Sequence, residues 1–225
     1  MRPPFMRASL SVAVLALVTI SSAPAASGQG EKGAPFEGVV TFELEEGTTL
    51  DYSVRQGLVR LDVNGKGSQA AMIMDPAAHK MYMLMPTQQM YMEMAIPEAD
   101  GSVEVPADQP KPKKTGKTDI VAGHPCEYWV MRHKDGDTEV CLASDLGGFY
   151  GFGNTTGKGG VPEWQEQLSK NYFPLKVIGN EDGGRKVVLL ATKVERKALE
   201  KAMFVPPASY KKMTMSMQMP ANPSR

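Results

Sequence analysis

The sequence predicts a mainly β protein (α+β) in which one antiparallel sheet is joined by one or two short helices. Three observations carry this expectation. From Phe36 onward apolar and polar residues alternate at period two through one segment after another. The segments end at turn-forming residues: Gly47, Gln56-Gly57, Asn64-Gly65, Asp75-Pro76 and Glu181-Asp182-Gly183-Gly184. Methionine itself occupies every second position in three consecutive runs, Met72 and Met74, then Met81, Met83 and Met85, then Met90, Met92 and Met94. Successive side chains on a strand point to opposite faces, so each run lies on a single face, whereas a helix would scatter it.

In chain order, Met1 to Ala25 reads as a secretory leader. Arg2 and Arg7 give the positive start, Ala8 to Ile20 the apolar stretch, and Ala23-Pro24-Ala25 the small-x-small cleavage site. The apolar stretch is shorter than the roughly 20 residues that span a bilayer. The expected organisation is leader 1–25, a single domain 26–212, and a methionine-rich tail 213–225. A mature chain of about 200 residues fits one domain.

Phe36, Gly38, Val40, Phe42 and Leu44 alternate with Glu37, Val39, Thr41, Glu43 and Glu45. Leu50, Tyr52 and Val54, then Val59, Leu61 and Val63, repeat the same half-apolar pattern. Each of these strands therefore has one dry and one wet face. The methionine runs follow, separated by Asp75-Pro-Ala-Ala-His79 and Pro86-Thr-Gln-Gln89, which have the composition of short hairpin connections. Ile96 to Thr118 has four prolines, acids first and lysines after, and no period, which predicts an exposed loop. The lysines there read as a solvated face.

Asp119 to Arg132 and Thr138 to Asp145 are the next two predicted strands. A glycine-dense loop follows from Gly147 to Gly160. Pro162 to Lys170 is the best helix candidate, with Trp164 and Leu168 four apart on one face. Tyr172 to Ile178 and Lys186 to Val194 return to strand, and Glu195 to Ala202 is a second candidate short helix. The tail carries Met213, Met215, Met217 and Met219, again at period two.

The 25 basic and 25 acidic residues balance, and the leader holds two arginines and no acid, so the remainder is two units negative. Such a balance offers no electrostatic reason to bind nucleic acid or an anionic membrane. Cys126 and Cys141 are the two cysteines. In an exported protein they are expected to form a disulfide, directly across a hairpin if its loop spans Arg132 to Asp135. The rival is a metal site made of His124, Cys126 and Cys141, which an oxidising compartment disfavours.

No pattern of catalytic residues emerges, and the chain is expected not to be an enzyme and to need no cofactor. The Gly157-Lys158 and Gly116-Lys117 pairs lack the glycine five residues earlier that a phosphate loop needs, since Phe152 and Lys111 stand there. There is no Gly-x-Ser-x-Gly elbow, and the three histidines have no ligand spacing.

Several local features together are similar to the DUF4412 type of exported bacterial protein. They are Phe36-x-Gly38, the Met72 to Met94 block with Asp75, Lys80-Met81-Tyr82 and Tyr91, the run Thr115-Gly116-Lys117-Thr118-x-Ile120 with Gly123, Cys126 and Trp129, and Phe204-x-Pro206 with Tyr210. Ser209 stands where that pattern usually has glycine before the final tyrosine. Proteins of this type resemble the LolA/LolB and RseB-like fold. The resemblance implies a curved sheet or incomplete barrel, with helices against its open side and an apolar groove for acyl chains.

Function is accordingly expected to be non-enzymatic binding of a lipid, acyl chain or acylated cargo. The ligand would lie on the face lined by Met72, Met74, Met81, Met83, Met85, Met90, Met92 and Met94, in a periplasmic or secreted protein with no transmembrane segment after leader removal. The alternative is a periplasmic Cu(I)/Ag(I)-binding protein using the thioethers of Met83, Met92, Met213, Met215, Met217 and Met219. A closed core filled by methionine is the structural alternative to both, and an antioxidant role for exposed methionine a further possibility.

Overall fold

The computed structural model describes residues 36–44, 47–65, 67–96, 111–133, 136–150, 168–181 and 184–213. The predicted leader, the stretch 97–110, most of the glycine-dense loop, Trp164 with the start of its helix, and Met215, Met217 and Met219 lie outside them.

Among the described residues twelve strands form one sheet: β1 (Gly38–Leu44), β2 (Thr49–Arg55), β3 (Leu58–Gly65), β4 (Ser68–Asp75), β5 (Lys80–Met85), β6 (Met90–Ala95), β7 (Lys113–Val121), β8 (His124–His133), β9 (Gly136–Ala143), β10 (Phe173–Glu181), β11 (Gly184–Arg196) and β12 (Lys211–Met213). Their order across the sheet is β12-β6-β5-β4-β3-β2-β1-β11-β10-β9-β8-β7. Two meanders, β1 to β6 and β7 to β11, are thus joined where β11 returns to pair with β1. All neighbours are antiparallel except β12, which runs parallel to β6. The sheet ends at β12 and β7 and does not close.

The sheet is curved, and its geometry identifies the concave side. Tyr52 on β2 lies edge-on to Phe173 on β10 with ring centroids 5.3 Å apart, although β1 and β11 stand between them. In a flat sheet three strand spacings would part them by about 14 Å. The concave face holds the main core, including Val40, Phe42, Leu50, Tyr52, Val59, Leu61, Met74, Phe173 and Leu175. Residues after β9 fill its middle: Leu146 is buried, Phe149 stacks on Tyr52 at 4.9 Å, and the Tyr150 N–H donates to the Tyr52 hydroxyl at 3.0 Å. Burial pushes the Tyr52 phenol well above its ordinary pKa.

This crossing segment rests on a short helix at 168–171, where the Phe149 N–H donates to the Ser169 carbonyl at 2.7 Å. A Cβ on Gly148 would lie 2.3 Å from that same oxygen, so only glycine permits the approach. Among the described residues no helix is long and apolar enough to cross a membrane.

The disulfide between Cys126 and Cys141 is present, with Cα atoms 5.3 Å apart, and both residues are buried in the main core. Its placement differs from expectation. His133 pairs with Gly136, so the connection is 134–135 alone, and the residue opposite Cys141 is Tyr128 rather than Cys126. The bridge therefore runs diagonally between β8 and β9.

Three further elements differ from expectation. β7 begins at Lys113, inside the predicted loop; its residues 113–118 are exposed on both faces, so no burial pattern marks the strand. The strand predicted from Asp119 is broken by a tight turn at Ala122 and Gly123, both at positive φ. The helix expected at Glu195–Ala202 is absent: β11 runs to Arg196 and a 3₁₀ turn occupies Lys201–Phe204. There tertiary anchoring of Leu199 and Phe204 in a second core overrides local propensity.

A Cβ on Gly38 would meet the Glu195 carbonyl oxygen at 2.0 Å, because β1 and β11 are in contact at the seam between the meanders. Gly38→Ala is expected to cost about 2 kcal/mol or more in urea unfolding. Gly57→Ala, where a Cβ meets nothing within 4 Å but φ is +82°, should cost only about 1 kcal/mol. Replacing Cys126 and Cys141 together by serine is expected to lower stability by about 3 kcal/mol in the same measurement.

Candidate functional site

The three methionine runs lie on the concave face and in register. Met72 pairs with Met83 and Met83 with Met92; Met74 pairs with Met81 and Met81 with Met94; Met85 pairs with Met90. These are transverse rows that continue the core rows of the neighbouring strands. Leu61 stands opposite Met72 and Val59 opposite Met74. Further along, Tyr52 faces Leu61 and Val40 faces Tyr52.

Two tight connections set this register. In the first, the Asp75 carboxylate accepts the Ala78 N–H at 2.9 Å and His79 takes a positive φ; in the second, Gln89 takes a positive φ and donates its N–H to the Pro86 carbonyl. Both coincide with the predicted hairpin connections.

Burial changes along the rows. Val40, Tyr52, Val59, Leu61 and Met74 are almost fully buried. Met72 and Met81 are partly buried and pack on the main core. Met83, Met85, Met90, Met92 and Met94 are partly buried, and they belong to neither core cluster. The opposite face of the same strands is sealed. Ala71, Ile73 and Leu84 are buried there with Leu199 and Phe204, and Tyr82, Tyr91, Met203 and Tyr210 pack around them. Arginines from β2 and β3 hold that covering segment: Arg55 donates to the Leu199 carbonyl and Arg60, paired with Asp62 at 2.7 Å, donates to the Met203 carbonyl at 2.9 Å.

The period-two methionines place Met213 at the head of an expected tail. The structure brings it into β12, opposite Met92. The strand is tied down by the Lys211 N–H on the Gln89 carbonyl at 2.9 Å and by an ion pair from Lys212 to Glu93, which also faces Lys80 at 3.4 Å. These lysines hold the Glu93 carboxyl below its usual pKa, Lys212 contributing most. No periodicity announces a parallel three-residue strand, so its pairing was not legible.

The other end of the concave face is polar. Asp119 pairs in register with Cys126 and Tyr128 with Cys141, so both flank the disulfide. The Tyr128 hydroxyl donates to Asp119 at 2.9 Å, and Lys176 lies 3.4 Å from the same carboxylate. The Tyr128 hydroxyl, the Ile120 N–H and then Lys176 hold the Asp119 carboxyl below its ordinary pKa. Beside this cluster a recess of about 490 Å³ is lined by Lys111, Lys113, Lys114, Thr115, Val130, Arg132 and Asp137. Lys114 is engaged with Glu127 at 2.9 Å and lies over the Trp129 ring. The rival metal site falls away: Cys126 and Cys141 are bonded to each other, and His124 Nδ1 lies 2.6 Å from Asp145.

For Asp119 the unfolded chain takes up the proton first as pH falls. The stabilisation is complete above the ordinary carboxylate range and lost as pH drops through the lowered folded value. Asp119→Asn is therefore expected to weaken the protein at neutral pH. In urea unfolding followed against pH, its difference from the wild type should shrink steadily below about pH 4.

No curated protein matches the chain. Among solved structures, a crystal structure of an uncharacterized conserved protein from Thermus thermophilus is similar at 12% identity with a TM-score of 0.49, over 80% of this chain and 90% of that one. The family model for the domain of unknown function DUF4412 matches residues 36–210, the whole span from the first core phenylalanine to the tyrosine that closes the second core, and the chain belongs to that family.

Proposed function

We propose that the protein is an exported, non-enzymatic binding protein that holds an apolar ligand, a lipid or acyl chain, on the methionine face of β4, β5 and β6. The observation that carries this reading is the contrast between the two faces of those strands. One is sealed by the chain's own Leu199 and Phe204. The other presents registered thioethers that continue a filled core: Met74 is buried in it, Met72 and Met81 pack against it, and Met83, Met85, Met90, Met92 and Met94 lie partly buried beyond it. Thioether side chains are flexible and polarizable, and they conform to ligands of variable shape. A curved sheet with one apolar concave side is also a common way to shelter a ligand. Export rests on the Met1–Ala25 leader, and the acyl-chain class on analogy with LolA/LolB-like carriers.

Native mass spectrometry of the full chain, expressed with its leader and isolated without detergent, tests the reading. The expected result is a mature mass beginning after Ala25 with an adduct of several hundred daltons, on the order of one lipid, released on denaturation. Stripped protein should then bind a fluorescent fatty acid. Met83→Leu with Met92→Leu should keep that affinity within about twofold, because apolar area is conserved. Met83→Lys with Met92→Lys should lower it by about tenfold or more, since a charge must then be desolvated. An unliganded mass together with no fatty-acid uptake by the wild type would sink the proposal.

A further inference from the structure

We propose that Met83, Met92 and Met213 form a site for a soft monovalent d¹⁰ ion, Cu(I) or Ag(I), at the sheet edge where β12 docks. The site shares Met83 and Met92 with the proposed ligand face and takes its third donor from β12, a strand outside that face.

The geometry comes from register. Met83 pairs with Met92 across β5 and β6, and Met92 pairs with Met213 across β6 and β12. Directly paired residues share a face of the sheet, so the three thioethers form one transverse row with strand spacings of about 4.8 Å. Each methionine has three rotatable bonds, and donors spaced this way reach a common ion lying above the central residue, Met92. All three residues are partly buried. That leaves an ion access and still shields it from much of the competing water.

The donor chemistry selects the ion. Neutral thioethers favour Cu(I) and its redox-stable counterpart Ag(I), and they bind hard or borderline divalent ions poorly. The residues beside the row on the same face are again methionines: Met81 and Met94 on one side, Met85 and Met90 on the other. Among the described residues no group of three His, Cys, Asp or Glu side chains offers a competing site. Lys211, which β12 places beside Met90, adds positive charge nearby and works against multivalent cations.

The site also has a structural consequence. β12 is three residues long and attached along one edge only. An ion shared by Met92 and Met213 adds a cross-link between β12 and β6, so metal binding stabilises the docked C-terminal strand.

The test uses Ag(I) alone as probe, in chloride-free buffer, with the full mature chain. One tightly bound Ag(I) is expected by native mass spectrometry, with a rise in melting temperature. Met92→Leu and Met213→Leu should each weaken Ag(I) in a competitive titration by at least about tenfold, the loss that even outer-shell changes bring at metal sites. Met213→Leu, on a strand outside the proposed ligand face, should keep fatty-acid binding. Leucine at Met215, Met217 and Met219 together should leave Ag(I) affinity unchanged. The proposal is overturned if the wild type takes up no Ag(I). It is equally overturned if the triple tail variant loses the ion while Met92→Leu keeps it, which would place binding in the tail alone. Failure of fatty-acid binding with Ag(I) retained would remove the apolar-ligand reading and leave this one standing.

Discussion

The cross-strand register from β1 to β6 is the constraint on which the rest of the structure depends. A slip of one residue exchanges the two faces of a strand. In β4 and β5 the central residues of both faces are apolar, so hydrophobic burial alone discriminates poorly between the two settings. A slip in β5 would bring Tyr82 and Leu84 to the concave side and turn Met81, Met83 and Met85 toward Leu199 and Phe204. The connections at Asp75–His79 and Pro86–Gln89 break this near-degeneracy. Each combines a proline with a residue at positive φ, and the first adds a carboxylate bonded to its own backbone. The methionine rows exist because those short connections allow only one pairing.

Curvature turns this register into a concavity. The pairing of β1 with β11 joins two meanders that would otherwise end in free edges, and it depends on the absent side chain of Gly38. A register shift between Thr41 and Phe42 lies in the same seam, where a bulge increases local twist. Rings from both meanders then meet: Phe42 and Tyr52 from one, Phe173 from the other, with Phe149 closing over them. The disulfide lies farther along the same concave side and covalently fixes β8 to β9.

How much of this was legible follows from where residue type alternates with face. β1, β2, β3 and the methionine strands alternate because each side chain is assigned to a definite face, and period two reported them directly. β7 left no such signature, since an exposed edge strand rich in lysine draws its structure from backbone pairing with β8 and guards against further pairing by charge. The cysteine pairing was legible from the count of two and the expectation of export, but its diagonal placement was not, because that depends on a connection two residues shorter than composition suggested. Neither the parallel docking of β12 nor the 3₁₀ turn at Lys201–Phe204 follows from local pattern. Both are decided by partners far away in sequence, Met90 to Met92 for one and the outer face of β3 and β4 for the other.

The distribution of apolar residue types follows closure rather than hydrophobicity alone. Where the chain covers its own sheet, it uses residues of defined shape: Val40, Phe42, Tyr52, Val59 and Leu61 in the main core that Phe149 packs against, and Ile73 and Leu84 in the second core with Phe204. Such positions gain from fixed rotamers and close interdigitation. Methionine takes over as the rows pass beyond that cover, at Met83, Met85, Met90, Met92 and Met94, where burial is partial. Its flexibility specifies a closed core poorly and suits a surface that meets partners of varying shape. The change of residue type within a single row, from Val40, Tyr52 and Leu61 through Met72 to Met83, Met92 and Met213, marks the boundary between the part of the sheet that the chain packs into its main core and the part it leaves partly open, where the proposed ligand would lie.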